Sequence, residues 1–167
     1  IYRKNDVDVF EEEDKTHSYV ITVDVARGQG LDYSAFTVFD ITNIPYKIVD
    51  KYKNNHVAPL VFPNIINIIG KKYNNAYILI EVNDIGSQVS DVLHHDLEYE
   101  NLFSTAWYGR HGQQLSGFVG GKRDSQFGVR TTKSMKKIGC SNLKALIEDD
   151  KLLIPDYDMI SELTTFV

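Results

Sequence analysis

The chain has 167 residues, a length that suits one domain with a core of its own. Its 43% apolar and 25% charged residues are the balance of a globular protein, and no apolar run is long enough to span a bilayer. The single cysteine, Cys140, excludes an internal disulfide and a cysteine-based zinc site, and it favours a reducing cellular setting.

The charge of the chain is divided between one basic segment and an acidic remainder. The net charge is −5, but Arg110–Lys137 holds seven basic residues and one acid, whereas the rest holds 11 basic and 22 acidic residues. An acidic body with a basic strip suits an enzyme whose carboxylates hold metal ions while the strip holds phosphates. A solvated loop without a binding role is the other interpretation, and charge alone favours it.

The first third of the chain contains a polar start and three predicted strands. Residues 1–17 are polar and include the acidic run Glu11–Asp14, which predicts a linker or an N-terminal tail. β-Branched and alternating apolar residues predict strands at Ser18–Val25, Ala35–Ile41 and Tyr46–Tyr52. The connections between them are short, so an antiparallel meander is expected.

Helical and strand periods alternate in the middle of the chain. Apolar residues recur at helical spacing over 58–69, with Pro63 marking either the true start of the helix or a kink. Ala76–Val82 is an apolar run typical of a central strand that is buried on both faces. A second helix is expected after Asp84, with Asp84 as its cap, and a further strand over Asn101–Tyr108.

The last third begins with a glycine-rich stretch. Residues 109–128 contain six glycines and no clear period, which predicts a long mobile loop. A short strand is predicted at Lys151–Ile154, and a last helix is predicted with Asp156 as its cap. Before that strand, Thr132 is predicted to cap a helix whose inward residues are Met135, Ile138, Leu143, Leu146 and Ile147. The element order predicts an α/β fold over residues 18–167, with a mixed central sheet flanked by helices.

Three acidic residues stand out from their surroundings. Asp24 closes the first predicted strand, and Glu81 interrupts the apolar run near its end, where a carboxylate is costly unless it is paired or bound to a cation. Rigid strands can hold such oxygen ligands for Mg²⁺ or Mn²⁺, and two ions of this kind can hydrolyse a phosphodiester. If the two acids share ions, their strands must be neighbours. Asp32, across a glycine turn, is a further candidate ligand or a holder of water, although each acid also has an interpretation as a cap, an ion-pair partner or a turn residue.

The basic segment supplies the candidate DNA contacts, because phosphates attract lysine and arginine side chains. Trp107 and Tyr108, which precede the glycine-rich stretch, are the aromatic residues kept as base-stacking candidates. The candidate phosphate contacts are Arg110, Lys122, Arg123, Arg130, Lys133, Lys136 and Lys137.

Three blocks of the sequence carry a resemblance to a known family. They are TVDVARGQGLDYSAFTVFDIT, ILIEVNDIGSQVSDVLHHDLEYENL and TTKSMKKIGCSNLKALIEDDKLLI. In order and spacing they resemble the C-terminal nuclease domain of the large terminase of T-even-type tailed bacteriophages, from about Tyr19 to Val167. The resemblance implies a ribonuclease H-like fold and a metal-dependent endonuclease that cuts concatemeric double-stranded viral DNA during genome packaging.

The same resemblance implies roles for the three acids. Asp24 takes the place of the first catalytic carboxylate, Glu81 that of the second, and Asp32 that of a further acid beside the site. The family's third catalytic carboxylate lies in a His-Asp-Asp-Leu-like segment that is expected downstream of Val167, so the domain is expected to be C-terminally truncated.

The implied cofactor and partners follow from the family as well. The cofactor is Mg²⁺ or Mn²⁺ in a two-metal site. The partners are double-stranded DNA, an N-terminal packaging ATPase domain, the portal and the small terminase subunit, and no membrane is involved. The expected location is the cytoplasm of an infected bacterial host.

Other functions remain open at this point. Another ribonuclease H-like nuclease would carry the same acids, and an inactive DNA-binding or interaction module of the same fold would lack a complete set. An ATPase half-domain of the actin and sugar-kinase type also begins with three meander strands and an Asp near a glycine turn. That type needs a second half and an adenosine-binding loop, for which 167 residues leave no room. Metal binding at Asp24 and Glu81 distinguishes the nuclease from the other two classes.

Overall fold

The computed structural model describes residues 1–107, 113–116 and 125–165. Its largest feature is a seven-stranded mixed sheet made of β1 (Tyr2–Lys4), β2 (Val7–Val9), β3 (Tyr19–Asp24), β4 (Ser34–Asp40), β5 (Tyr46–Asn54), β6 (Tyr77–Ile80) and β10 (Leu152–Leu153). The strand order is β1-β2-β5-β4-β3-β6, and β10 also pairs with β5. Strands β3, β4 and β5 are antiparallel neighbours, β6 is parallel to β3, and β10 is parallel to β5. The predicted meander and the mixed sheet are therefore confirmed.

The N-terminal residues contribute strands to the sheet. β1 and β2 form a hairpin, and β2 pairs with β5 so that Val9 lies opposite Asp50. Val7 and Val9 are buried in the main core. The prediction of a linker over residues 1–17 is wrong for this stretch, because two alternating valines among charged residues give too weak a pattern to reveal a strand.

The core lies between one face of the sheet and the helices α1 (Phe62–Lys72) and α2 (Gly86–Asp91), the latter continuing into a π-helical turn at Val92–Asp96. Phe36, Tyr52 and Phe62 pack together as a cluster of three rings, with the Phe36 and Phe62 centroids 5.1 and 5.5 Å from that of Tyr52 and 6.4 Å from each other. Pro63 lies in the first turn of α1, where its missing N–H costs no hydrogen bond, so it marks the start of the helix.

Strand β6 is buried on one face rather than on both. Ile78 and Ile80 face the core, whereas Tyr77 is 39% exposed. The apolar run was predicted to be a central strand, but β6 ends the strand order of the main sheet. Isolated bridges from Ile78 to Leu102 and from Glu81 to Val129 continue its free side, so later segments of the chain supply its missing neighbour.

A second, three-stranded antiparallel sheet follows. It consists of β7 (Ser104–Trp107), β8 (Gln113–Ser116) and β9 (Ser125–Phe127), with β7 in the centre. The strand predicted over Asn101–Tyr108 is confirmed for Ser104–Trp107. The loop predicted over 109–128 is wrong for β8 and β9, because period-2 alternation is hard to detect in strands of three or four residues. Residues 108–112 and 117–124 lie outside the described part of the chain.

Helices α3 (Lys133–Glu148) and α4 (Tyr157–Thr165) close the described chain, and both predicted caps are confirmed. The Thr132 hydroxyl accepts a hydrogen bond from the Met135 N–H at 3.3 Å, and the Asp156 carboxylate accepts one from the Met159 N–H at 2.8 Å. None of the described helices is long and apolar enough to cross a membrane.

Helix α3 presents its apolar face largely to solvent. It contains no buried residue, and Ile138 is 58% exposed. The prediction that its five apolar residues lie inside is wrong for Ile138 and Ile147, which are exposed. Met135, Leu143 and Leu146 are partly buried. Periodicity identifies residues that share a helix face, but it does not tell whether another element covers that face.

Candidate metal centre

Strands β3 and β6 lie side by side and end together. They pair in parallel with Val23 opposite Ile80, and the Glu81 N–H donates to the Val23 carbonyl at 2.9 Å. Asp24 and Glu81 directly follow these partners and line one cavity of about 280 Å³. Since side chains alternate along a strand and Val23 is buried in the core, the two acids lie on the opposite face of the sheet. The two strands are therefore neighbours, as ion sharing between Asp24 and Glu81 requires, and both acids lie at one edge of the sheet.

The turn after β6 holds Glu81 tightly. The Asn83 side-chain amide donates to Glu81 Oε1 at 2.8 Å and to the Thr131 carbonyl at 3.2 Å. Gly86 packs so closely against this strand end that a Cβ at its position would lie 1.9 Å from the Glu81 carbonyl oxygen. The carboxylate of Glu81 is therefore oriented by a neighbouring amide and by a backbone turn that leaves no space for a larger residue.

The electrostatics of the acid pair favour a cation. Asp24 keeps contact with solvent, but partial burial, the Glu81 charge and a side-chain hydrogen bond with Glu81 together raise the pKa of Asp24 above its usual range. A backbone hydrogen bond from Val25 and the positive charge of Lys136 lower this pKa in part. Two carboxylates so close together repel each other when both are ionised, so a divalent cation between them would relieve that repulsion.

Asp32 lies in a neighbouring cleft and not beside Glu81. This cleft, of about 440 Å³, is lined by Asp24, Asp32 and Asp84 among others. Within 1–107, 113–116 and 125–165, no three His, Cys, Asp or Glu side chains group closely enough to hold a metal ion. Asp32 is therefore not brought to the pair as a direct third ligand, because it lies in the turn before β4, whose register places Ala35 opposite Asp24.

Arg27 and Asp84, which line the same cleft, form an ion pair. The Arg27 guanidinium donates to both oxygens of Asp84, at 2.9 Å from Nε and 2.6 Å from Nη2. Asp84 was predicted to cap a helix, but α2 has Ile85 at that position without a side-chain cap, and Asp84 has a φ of 52°. The cap prediction is wrong because Asp84 binds a residue 57 positions earlier, a partner that no local spacing rule could indicate.

The chain is similar to known proteins both in sequence and in fold. The model of the terminase RNaseH-like domain family matches residues 21–167, which is most of the chain. The chain belongs to this family. Its fold is similar to that of the large terminase nuclease of the thermophilic phage G20c crystallised with cobalt, with a TM-score of 0.72 and 22% identity, over 99% of this chain and 72% of the other.

Further solved structures agree with this fold. The magnesium-bound form of the G20c nuclease gives a TM-score of 0.71 at 21% identity, over 97% of this chain and 71% of that one. The large terminase nuclease domain of Thermus phage P74-26 gives 0.67 at 20% identity, over 99% and 71%. The ribonuclease H-like fold of this terminase domain is thus confirmed, whereas the narrower assignment to the T-even type stays a prediction.

The basic residues of the terminase domain divide into described and undescribed ones. Lys133, Lys136 and Lys137 are exposed on α3, and Arg130 is exposed just before it. The charge of Lys136 acts on Asp24, so the basic helix lies near the acid pair. The other candidates for DNA contacts, Tyr108, Arg110, Lys122 and Arg123, lie outside the described residues. The side chain of Trp107 is not described either.

Sequence reasoning missed two residues of the centre. Neither Asn83 nor Gly86 was assigned a role from the sequence, yet both fix the position of Glu81. Their closeness to Glu81 in sequence was the available signal, because an amide and a glycine just after a strand-end acid can orient it and let the backbone turn.

Proposed function

We propose that this terminase domain hydrolyses phosphodiester bonds of double-stranded viral DNA with divalent metal ions, and that Asp24 and Glu81 are the carboxylates that hold them. The pairing of β3 with β6, which brings these two acids to one strand-end cavity, is the observation that carries the proposal. Family membership supports the same activity.

The donor set suits Mg²⁺ or Mn²⁺. Both are hard cations that take oxygen ligands, and here two carboxylates on adjacent strands supply them. When bound, such ions would polarise the scissile phosphate and activate a water molecule. The protein itself would orient Glu81 through the Asn83 amide and use Asp24, common to both cavities, as the shared ligand. Asp32 keeps a looser role in this proposal, hydrogen-bonding water in the adjoining cleft.

The proposed DNA path runs from the acid pair towards α3. Lys133, Lys136 and Lys137 would bind phosphates of the duplex, together with the candidates that lie outside the described residues. Such contacts position the DNA and carry no sequence information. The same proposal has the domain act within a packaging assembly that includes an ATPase domain and a portal.

The test is Mn²⁺ binding by the 167-residue chain, measured by electron paramagnetic resonance and calorimetry. We expect one ion to bind first, because two ions about 4 Å apart repel each other and need more than two carboxylates. Asp24→Asn and Glu81→Gln should each abolish that binding, and Asn83→Ala should weaken it about tenfold or more. Plasmid cleavage with Mn²⁺, measured in parallel, should be weak and should follow the same order.

The matched controls are Asp96→Asn and Glu100→Gln, two exposed acids outside both cavities, which should bind Mn²⁺ as the unchanged chain does. Mn²⁺ binding that survives in both Asp24→Asn and Glu81→Gln would refute the assignment of the ligands. A chain that binds no Mn²⁺ at all would fit an inert module of the same fold.

A further inference from the structure

Asp50 is a buried carboxylate that the proposed nuclease does not use. It lies in β5 with an exposed fraction of 0%, and the Tyr73 hydroxyl donates to its Oδ2 at 3.1 Å. The same hydroxyl lies 3.3 Å from the Glu11 carbonyl, and its single proton can serve only one acceptor at a time. Among the described residues Oδ1 of Asp50 has no hydrogen-bond partner. A buried carboxylate oxygen in this state is costly, so it requires an explanation.

Asp50 is one of the residues that line a cavity of about 460 Å³ between the N-terminal hairpin and α1, although almost none of its own surface is exposed. Its walls are mainly aliphatic, with Val7 and Val9 from the hairpin and Ile65, Ile68 and Ile69 from the helix. The volume lies in the range of small-molecule sites, which combine apolar walls with a few polar groups that fix orientation. Here Asp50 is the polar group on the strand side.

The charges around the cavity leave one acid without a matching base. The lining contains three acids, Asp50, Glu12 and Glu13, and two lysines, Lys4 and Lys72. The Lys72 ammonium is already bound, 3.4 Å from Glu12 and 3.8 Å from Glu13. Burial raises the pKa of Asp50 to about 7, although the Tyr73 hydrogen bond, the Lys72 charge and a backbone hydrogen bond from Lys51 oppose this rise. A cation placed at Oδ1 would stabilise the ionised form and satisfy the unpaired oxygen.

We propose that this cavity binds an ammonium or guanidinium group on a short aliphatic chain, with Asp50 as its acceptor and the valine and isoleucine side chains around its stem. Lysine and arginine side chains of proteins have this chemistry, and so do free polyamines. No residue lines both this cavity and the cavities at Asp24, so the site is separate from the metal centre and does not depend on the proposed function.

The experiment follows the methyl resonances of Ile65 and Ile69 by NMR at pH 8, where Asp50 is ionised and alkyl amines are still protonated. The first probe is n-butylammonium, and 1-butanol is its uncharged counterpart. We expect saturable shifts with n-butylammonium and at least tenfold weaker binding of 1-butanol. Acetyl-lysine amide then represents a protein side chain, and 1,4-diaminobutane represents a free polyamine. The probe that binds more tightly identifies the class of ligand.

Two variants and a matched control complete the design. Asp50→Asn keeps the shape but removes the charge, and it should weaken n-butylammonium binding about tenfold to a hundredfold. Glu11→Gln removes a charge nearby without lining the cavity, and it should leave binding unchanged. Ile68→Trp at the exposed mouth should block entry even if Asp50→Asn proves too unstable to study. Absence of saturable shifts, equal binding of 1-butanol, or unchanged binding in Ile68→Trp would each overturn the proposal.

Discussion

Gly86 sets the position of a catalytic candidate from five residues away. A Cβ at this glycine would lie 1.9 Å from the Glu81 carbonyl oxygen, which is backbone and cannot rotate out of the way. The lack of a side chain at this residue therefore shapes the candidate metal centre, although Gly86 carries no functional group of its own.

Gly86→Ala should consequently displace the end of β6. We expect a loss of about 1–3 kcal/mol in the free energy of unfolding, measured by urea denaturation, together with weaker Mn²⁺ binding. Gly139→Ala is the matched control, because nothing lies within 4 Å of its added Cβ and the position is inside α3. That variant should gain about 0.5–1 kcal/mol. Equal stability of the two variants would mean that the turn after β6 can shift to accommodate a Cβ at little cost in free energy.

Residue-scale reasoning found the acids but not their surroundings. Asp24 and Glu81 could be singled out because a carboxylate that ends an apolar strand is unusual in any fold. The Arg27–Asp84 ion pair and the burial of Asp50 could not be predicted from the sequence, since both depend on contacts with residues far away in the chain.

At the scale of elements, the two kinds of helix in this chain differ in what covers them. Helix α1 buries Phe62 and Ile66 completely against the sheet. Helix α3 has a similar alternation of apolar and polar residues but buries none of them. Between α3, α4 and the sheet lies a further cavity of about 250 Å³, lined by Leu143, Leu152 and Leu163 among others.

Truncations in the two helices should therefore have unequal effects. Ile66→Ala should lower the free energy of unfolding by about 2–5 kcal/mol, because it leaves a cavity in a closed core. Ile138→Ala, at a site 58% exposed, should change it by less than about 0.5 kcal/mol. Chemical denaturation monitored by circular dichroism measures both. A large loss for Ile138→Ala would indicate that another surface covers α3 in solution.

Element prediction succeeded where the pattern was long. The strands β3, β4 and β5 have six to nine residues and helix α1 has 11, and all four were predicted near their observed bounds. The strands β1, β2, β8 and β9 have three or four residues, too few for alternation to be distinguished from chance.

At the scale of the whole molecule, an acidic protein concentrates seven of its 18 basic residues in the segment 110–137. The net charge is −5, yet Lys136 on the basic helix α3 is close enough to the acid pair to lower the pKa of Asp24, and a DNA backbone would have to pass there for cleavage. Binding of that kind releases counterions, so affinity falls with salt in proportion to the number of phosphates contacted.

Replacing Lys133, Lys136 and Lys137 by Gln should flatten the salt dependence of duplex binding. The slope of log affinity against log salt should fall by roughly 0.9 for each lost phosphate contact. Fluorescence anisotropy with a labelled duplex, in the absence of divalent metal, measures it. A triple Gln variant at Lys15, Lys47 and Lys71 removes the same charge elsewhere and should keep the original slope. The same flattening in both variants would point to net charge instead of a binding surface.

The sequence alone determined the class of fold, the order of its main elements and the two acids. These features are local or periodic: a strand alternates, a helix repeats, and a carboxylate at the end of an apolar strand is conspicuous wherever that strand goes. The resemblance of three blocks added the family, which the match over residues 21–167 bears out.

Only the tertiary structure decided which residues meet. The parallel pairing of β3 with β6 brought Asp24 beside Glu81, whereas Asp32 lies in the neighbouring cleft, which Asp24 also lines. The pairing of the N-terminal hairpin with β5 formed a cavity lined by Asp50. Such contacts join residues far apart in sequence, and their free energies depend on burial and distance. Burial and distance between such residues are defined only in the folded chain, so no pattern within one segment could have revealed these contacts.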